Sequence, residues 1–220
     1  VGSEAIGNGF NAFDALPRQF AQIICPDGRS ATVQKALQAC AERNRLWFEG
    51  DTDFDMTYEE AGAFVTETAM LNSEFGRINY PNVKWTNPAS GIVEAMPQSA
   101  AVAGMNAAVW GKKTPGYGPW TQPAGVDYPL KGIVGLEYDE TIDNAVRDYL
   151  YERRINPIYK FPNVGHIVYG IRLLSTAGTF AQVGEAVTFL YVEHSIANDV
   201  FWSKFKSIDD SYRGQGMQRI

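Results

Sequence analysis

The chain is 220 residues long with 45% hydrophobic and 20% charged residues, the balance of an ordinary globular protein. At that length it can bury roughly 70 to 75% of its unfolded surface without disulfide or metal staples. Its formal net charge of −6 comes with no concentrated basic face, which argues against nucleic acid and anionic membrane as partners. Two cysteines cannot make a disulfide framework, no apolar run reaches the ~18 residues of a membrane-crossing helix, and the first dozen residues lack the pattern of a signal peptide.

After a polar, glycine-containing start, residues 20–25 predict a buried strand stopped by Pro26-Asp27-Gly28. A helix follows with Ser30 as its N-cap. Val33, Ala36, Leu37, Cys40 and Ala41 fall on one face, and Gln34, Lys35, Gln38 and Glu42 on the other. Residues 46–49 predict a short second strand. Thr57 with Glu60 three residues on is a capping-box pattern opening a second helix to about Asn72. Residues 77–85 predict a third strand with Pro81 as a bulge or edge. Strand, helix, strand, helix, strand with short joins implies parallel neighbours and right-handed crossovers.

The second half is less regular. Pro97 introduces an alanine-rich helix over 98–110, whose small residues allow another backbone to approach closely. Residues 113–129 form a loop rich in Pro, Gly and aromatics, too long for a simple join. A strand over 132–137, a helix over 140–153 with Ile142, Val146, Tyr149 and Leu150 inward, a strand over 167–171 and a final helix from about Val183, with Val187, Leu190, Tyr191, His194 and Phe201 on or near one face, complete the pattern. Ile155-Asn156-Pro157-Ile158 reads as a turn-forming, close-packing segment. The fold class is therefore α/β, a mixed, partly parallel sheet flanked by helices, with a single compact core and a long Pro/Gly/aromatic loop. Residues 1–13 read as a polar lead-in, 14–206 as the core, divisible into lobes 14–95 and 96–206, and 207–220 as a polar tail.

Each candidate for chemistry has a plainer alternative. Asp51, Asp53 and Asp55 alternate like calcium ligands, but an EF-hand counted from Asp51 would meet Met56 and Gly62 where Gly and Glu are needed, so a solvated turn is the plainer reading. Gly7-Asn8-Gly9-Phe10-Asn11-Ala12 matches a dinucleotide fingerprint without a strand before it. Cys25 at a strand's carboxyl end, with His166 or His194 as base, would make a cysteine-nucleophile enzyme; core packing is the alternative for all three. Trp110, Tyr117, Trp120 and Tyr128 form either a carbohydrate or receptor platform or the pins of a long loop. No Walker A pattern or nucleophile elbow is present.

The order of segments carries more than any one of them. The helix over 33–42, Tyr80-Pro81, Pro97-Gln98-Ser99-Ala100-Ala101-Val102-Ala103-Gly104, Leu130-Lys131-Gly132-Ile133-Val134-Gly135-Leu136-Glu137, Ile155-Asn156-Pro157-Ile158 and Gly170-Ile171-Arg172-Leu173-Leu174-Ser175 together resemble the core of contractile tail sheath proteins, over about residues 14–200. Gln98 and Ala100 depart from the family's usual second proline and glycine. The resemblance implies a non-enzymatic structural subunit of a phage tail, with no cofactor, metal or catalytic residue, located in the virion and assembled in the bacterial cytoplasm. Its implied partners are other copies of the subunit, the tail tube, baseplate and tail terminator proteins. The family places a helix of this core against the tube. Lys112, Lys113, Lys204 and Lys206, basic groups at helix ends, are thus candidate tube or inter-subunit contacts, and Arg172 is a further candidate; solvated helix ends are the plainer reading. Sheath proteins also carry strand-exchanging terminal arms and outer domains, so a portion of a larger subunit that is monomeric or weakly associated alone is expected.

Overall fold

A computed structural model describes residues 9–15, 20–138, 143–176 and 178–200. Strands β1 (Gln22–Ile24), β2 (Trp47–Gly50) and β3 (Gly76–Tyr80) lie side by side in parallel, and β7 (Ile155–Phe161) joins them in parallel on the far side of β3. The hairpin partner β8 (Gly165–Val168) closes this five-stranded sheet as an antiparallel edge. A second, antiparallel sheet has β4 (Val83–Thr86) between β5 (Val93–Met96) and β6 (Gly135–Leu136).

Side chains alternate across the main sheet with period two, and this decides its layers. On one face Ile23, Phe48, Ile78 and Ile155 form a dry core with α1 (Ala31–Asn44), α2 (Tyr58–Ala63) and α4 (Asn144–Glu152), through Leu37, Cys40, Ala61 and Leu150. On the other face lie α3 (Gln98–Trp110) and α5 (Val183–Val200). Val102, Met105 and Val109 of α3 join Ile158 and Val168, while Val183, Val187 and Leu190 of α5 join Trp47 and Phe75.

The helix termini follow from local chemistry. α1 begins after Ser30, which has extended backbone but makes no side-chain cap bond, and stops at Arg45 in the left-handed region (φ 56°), whose N–H reaches the Ala41 and Glu42 carbonyls. The Thr57–Glu60 capping box forms in both directions, as its spacing predicts. Asp143 caps α4 by accepting the Val146 N–H at 2.8 Å. The predicted first turn of that helix, with Ile142, and Phe201, expected on the apolar face of the final helix, lie outside the described residues.

Several expectations are corrected. The second helix does not run to Asn72: it passes at Phe64 into a π-helical turn (Phe64–Thr68), and Met70 sits in the left-handed region. The wider turn brings Phe64, Val65, Ala69 and Leu71 all into the core, which a regular 3.6-residue repeat would not. The strand expected over 77–85 is two strands in different sheets, parted at the cis peptide Tyr80-Pro81, where proline supplies no N–H to a ladder. Residues 155–161 are a strand, not a turn. Pro157 pairs with Tyr80, the last residue of β3, so its missing N–H falls where that ladder ends. Of the strand expected over 132–137 only Gly135–Leu136 is regular, and β8 ends at Val168 before the irregular 169–171 segment. Gln34, read as an outer-face residue, is fully buried: its amide donates to the Gly28 carbonyl and accepts the Asp51 N–H, tying α1 to the end of β2.

Candidate assembly surface

One strand residue after another turns a polar group toward α3. Gln22, Glu49, Arg77 and Asn79 all project from the face that α3 covers, and Glu49, Arg77 and Asn79 are wholly buried. The Arg77 Nε lies 3.0 Å from both Glu49 oxygens, and the Trp47 indole N–H donates to Glu49 at 2.8 Å. Asn106 of α3 completes the cluster. Its amide donates to Glu49 at 2.6 Å and to Gln22 at 3.0 Å, and its oxygen accepts from Arg77 at 2.9 Å.

Two turns earlier, Gln98 accepts from Asn79 at 2.8 Å and donates to the Gly50 carbonyl. Ser99 donates its N–H and its hydroxyl to Asp51 at 2.9 and 2.5 Å. The departure at Gln98 thus has a structural reason: it is a key between α3 and the sheet. Burial is the main cause that pushes the Asp51 carboxyl up to about 7, partly countered by the two Ser99 bonds.

The small residues of α3 point the other way. Gly104, Ala107 and Ala108 are exposed, Ala100 and Ala101 are half-buried, and a methyl group added at Gly104 would touch nothing within 4 Å. Beside this stripe runs a groove of about 420 Å³, walled by Trp85 and Met96 of the second sheet and by Tyr128 and Pro129. Lys112, at its end, holds its ammonium 4.1 Å from the Tyr117 ring, and Lys113 is exposed next to it. Both stand just beyond the carboxyl end of α3, where the helix dipole favours cations. Arg172 is on a different part of the surface, 4.1 Å over the Tyr151 ring of α4, with its backbone N–H on the Asn156 side chain. Lys204 and Lys206 lie outside the described residues.

The aromatic loop is pinned to its own domain. The Trp110 indole donates to the Thr121 carbonyl at 3.0 Å and packs edge-on against Phe20; Tyr117 and Tyr128 pack on the α3 core. The Gly125 and Leu130 N–H groups bond to the Val168 and His166 carbonyls, so the loop covers the β8 edge. Trp120 is the exposed one of the four, set edge-on to Tyr191 of α5.

The cysteine-enzyme arrangement does not form. Cys25 follows β1 and His166 lies in β8, the two edges of a five-stranded sheet, four strand spacings or roughly 19 Å apart. His194 is held by the Arg45 carbonyl at 2.8 Å, at the opposite end of the strands from Cys25. Burial pushes both thiols up, so they are protonated at neutral pH. Native protein is accordingly expected to react slowly with iodoacetamide at pH 7, with both thiols labelled rapidly only in urea; fast stoichiometric labelling of Cys25 in the fold would restore the nucleophile reading. The aspartate run is also dispersed: Asp51 is buried on Ser99, Asp53 pairs with Arg29 at 3.1 Å, and Asp55 is turned into the left-handed region. Among the described residues no three metal-ligating side chains cluster, and no helix is long and apolar enough to cross a membrane. Gly7 and Asn8 of the glycine fingerprint lie outside the described residues.

The polar layer under α3 was not anticipated from sequence. Its trace there is an uncharacteristic polar residue in β1 (Gln22) and in β2 (Glu49), two in β3 (Arg77 and Asn79), and Gln98 and Asn106 eight residues apart on one helix.

No protein-family model matches the chain, and no curated protein does. Solved structures do. The chain aligns with one in the anti-feeding prophage (AFP) baseplate, 6-fold symmetrised, at a TM-score of 0.73 and 18% identity, over 97% of this chain and 54% of that one. It aligns with one in the AFP helical sheath in contracted state at 0.71 and 19%, over 98% and 56%. In the sheath complex of PVC, an extracellular contractile injection system, also contracted, the values are 0.68 and 19%, over 100% and 56%. The chain has a sheath-like fold. It spans little more than half the length of the chains it matches, and at these identities the likeness is one of fold.

Proposed function

We propose that this chain is the core of a sheath subunit in a contractile phage tail or a related injection particle. Other copies stack with it in helical rings around a tube, and the assembly shortens when a baseplate triggers it, driving the tube forward. The single observation that supports the reading most is the match of nearly the whole chain to the contracted AFP helical sheath. The polar layer beneath α3 suits the role, because a subunit that changes neighbours during contraction must move as a rigid body while its external contacts exchange. On this reading the tube, other subunits, baseplate and terminator proteins are the partners, the virion or particle tail is the location after assembly in the bacterial cytoplasm, and no residue is catalytic.

The exposed stripe of α3, ending in Lys112 and Lys113, is the face we assign to the tube, with Lys204 and Lys206 as further basic contacts and Arg172 at an inter-subunit contact. Charge reversal at both Lys112 and Lys113 is expected to reduce co-sedimentation of the chain with purified tubes at least tenfold while leaving its thermal unfolding unchanged. Undiminished binding by the reversed variant would remove α3 from the tube face; no binding by the unaltered chain would count against the reading as a whole.

A further inference from the structure

Two carboxyl groups are buried together where the end of β2 meets the start of α3, and one buried cation serves them. Glu49 and Asp51, two residues apart and so on the same side of the strand, are both fully buried. The cation is Arg77, whose Nε lies 3.0 Å from each Glu49 oxygen and whose Nη2 donates to Asn106. Among the described residues no cation pairs with Asp51. Its oxygens take the Ser99 N–H at 2.9 Å and the Ser99 hydroxyl at 2.5 Å.

Each neighbouring element contributes to the surroundings of Asp51. Arg29, before α1, has a charge that reaches it, but the Arg29 Nε is held 3.1 Å from Asp53 and its guanidinium 4.0 Å over the Phe54 ring. Cys25, after β1, is an uncharged thiol whose pKa burial raises first, with the charges of Asp51 and the exposed Asp27 adding to the rise. α1 supplies Gln34, which accepts the Asp51 N–H; β3 supplies Arg77, already held by Glu49; α3 supplies Ser99.

A buried layer with two acids and one base is one proton short of neutral. Glu49 holds the guanidinium, so the proton belongs on Asp51. Burial first and the Glu49 charge after it raise the Asp51 pKa to about 7, against the Ser99 bonds and Arg29, which lower it. Protonated, the carboxyl donates to the Ser99 hydroxyl and still accepts the Ser99 N–H, a closed pair of bonds between strand and helix. Deprotonated, it carries a full charge that two bonds from one residue solvate poorly. The position matters because Pro97, the N-cap of α3, makes no side-chain cap bond. Asp51 supplies the acceptor that the N-cap lacks. Gln98, beside Ser99, is tied separately, through its side chain to Asn79 and through its N–H to Asn82.

We propose that Asp51 and Ser99 form a proton-operated latch on the first turn of α3: with the proton on Asp51 the turn is shut against the end of β2, and when the proton passes to solvent the turn opens to water while Gln98 holds as the pivot. The latch does not depend on the sheath reading. Ala100 and Ala101, which line the groove beside α3, ride on this turn, so the start of the outward stripe follows the proton.

Amide hydrogen exchange of the full chain, followed by NMR in low urea at pH 6 and pH 8 and corrected for the intrinsic rate at each pH, tests this. Protection of the Ser99, Ala100 and Ala101 amides is expected to fall about tenfold between the two pH values, the change that a carboxyl titrating near pH 7 imposes on an opening that exposes it. It is also expected to be insensitive to urea, because the opening is local. Asp51→Asn, which cannot ionise, is expected to show no such fall, and the Asp51 carboxyl carbon of the unaltered chain to titrate near pH 7. Three results would each overturn the latch: exchange of the three amides that rises with urea in step with Phe48 and Ile78 of the central strands, an equal fall in Asp51→Asn, or a carboxyl midpoint near pH 4 in the folded chain.

Discussion

Arg77→Met is expected to lower the free energy of unfolding by about 3–5 kcal/mol in urea, the largest single-residue effect in the molecule, because it leaves the Glu49 carboxylate fully buried without its cation. The loss comes from the charge left behind more than from the worth of the pair. Removing both charges tests this directly. Glu49→Gln with Arg77→Met is expected to recover most of the stability, since a buried pair and a well-packed uncharged replacement are often close in energy. The network is also incompletely satisfied, with Arg77 Nη1 and Asn79 Oδ1 lacking partners, which brings the uncharged version nearer still. A double variant no more stable than Arg77→Met alone would show that the pair holds α3 by more than charge balance. Loss of the pair should also loosen α3, because Asn106 hydrogen-bonds both charged groups.

The second large effect is a pH dependence opposite to that of a carboxylate stabilised by an ion pair. Asp51 has its pKa raised to about 7 in the fold, against an ordinary value of 3.8. Below the ordinary value both folded and unfolded chains hold the proton, and Asp51 makes no difference. Between about pH 4 and pH 7 the unfolded chain releases the proton and the folded one keeps it, so stability falls as pH rises; above pH 7 the loss is complete. The full difference is worth about 4 kcal/mol. Asp51→Asn keeps an acceptor for the Ser99 N–H and gains a donor for the Ser99 hydroxyl, so it is expected to remove this slope and to exceed the unaltered chain in stability at pH 8, with little difference at pH 4. Urea midpoints across pH 4–8 for the two proteins would show it, and parallel curves would contradict it.

The amphipathic pattern of 33–42, the Thr57–Glu60 box and the short joins identify the parallel β1–β2–β3 core from residues alone, because each is a local signal that tertiary packing reinforces. What escaped was set by long-range partners. β7 carries a proline in the middle of a sheet, and nothing in Ile155-Asn156-Pro157-Ile158 says that the neighbouring strand ends where its N–H is missing. The switch of sheets at Pro81 depends on β5 and β6, elements too short to show periodicity. For the assembly surface, the alanines and glycine of α3 were legible as a packing stripe but not which way it faced. Gln98, Ser99 and Asn106, ordinary surface residue types, bind the helix to its sheet, and the small residues are left outside.

The polar layer beneath α3 bears on the proposed assembly as well as on stability. Hydrogen bonds between specific partners fix one register of the helix on the sheet, where an apolar contact would tolerate sliding, and each buried polar group left unpaired by a shift costs about 1–3 kcal/mol. The outward stripe with Lys112 and Lys113 is therefore presented in one position, as the proposed assembly, in which one surface repeats from copy to copy, would require.

Immunogold electron microscopy of intact particles purified from the producing bacterium, with an antibody to this chain, tests the central claim most directly. A sheath subunit predicts gold at regular intervals along the whole outer cylinder of extended particles and over the shortened cylinder of contracted ones. Gold confined to one end, or particles that carry none, would contradict it.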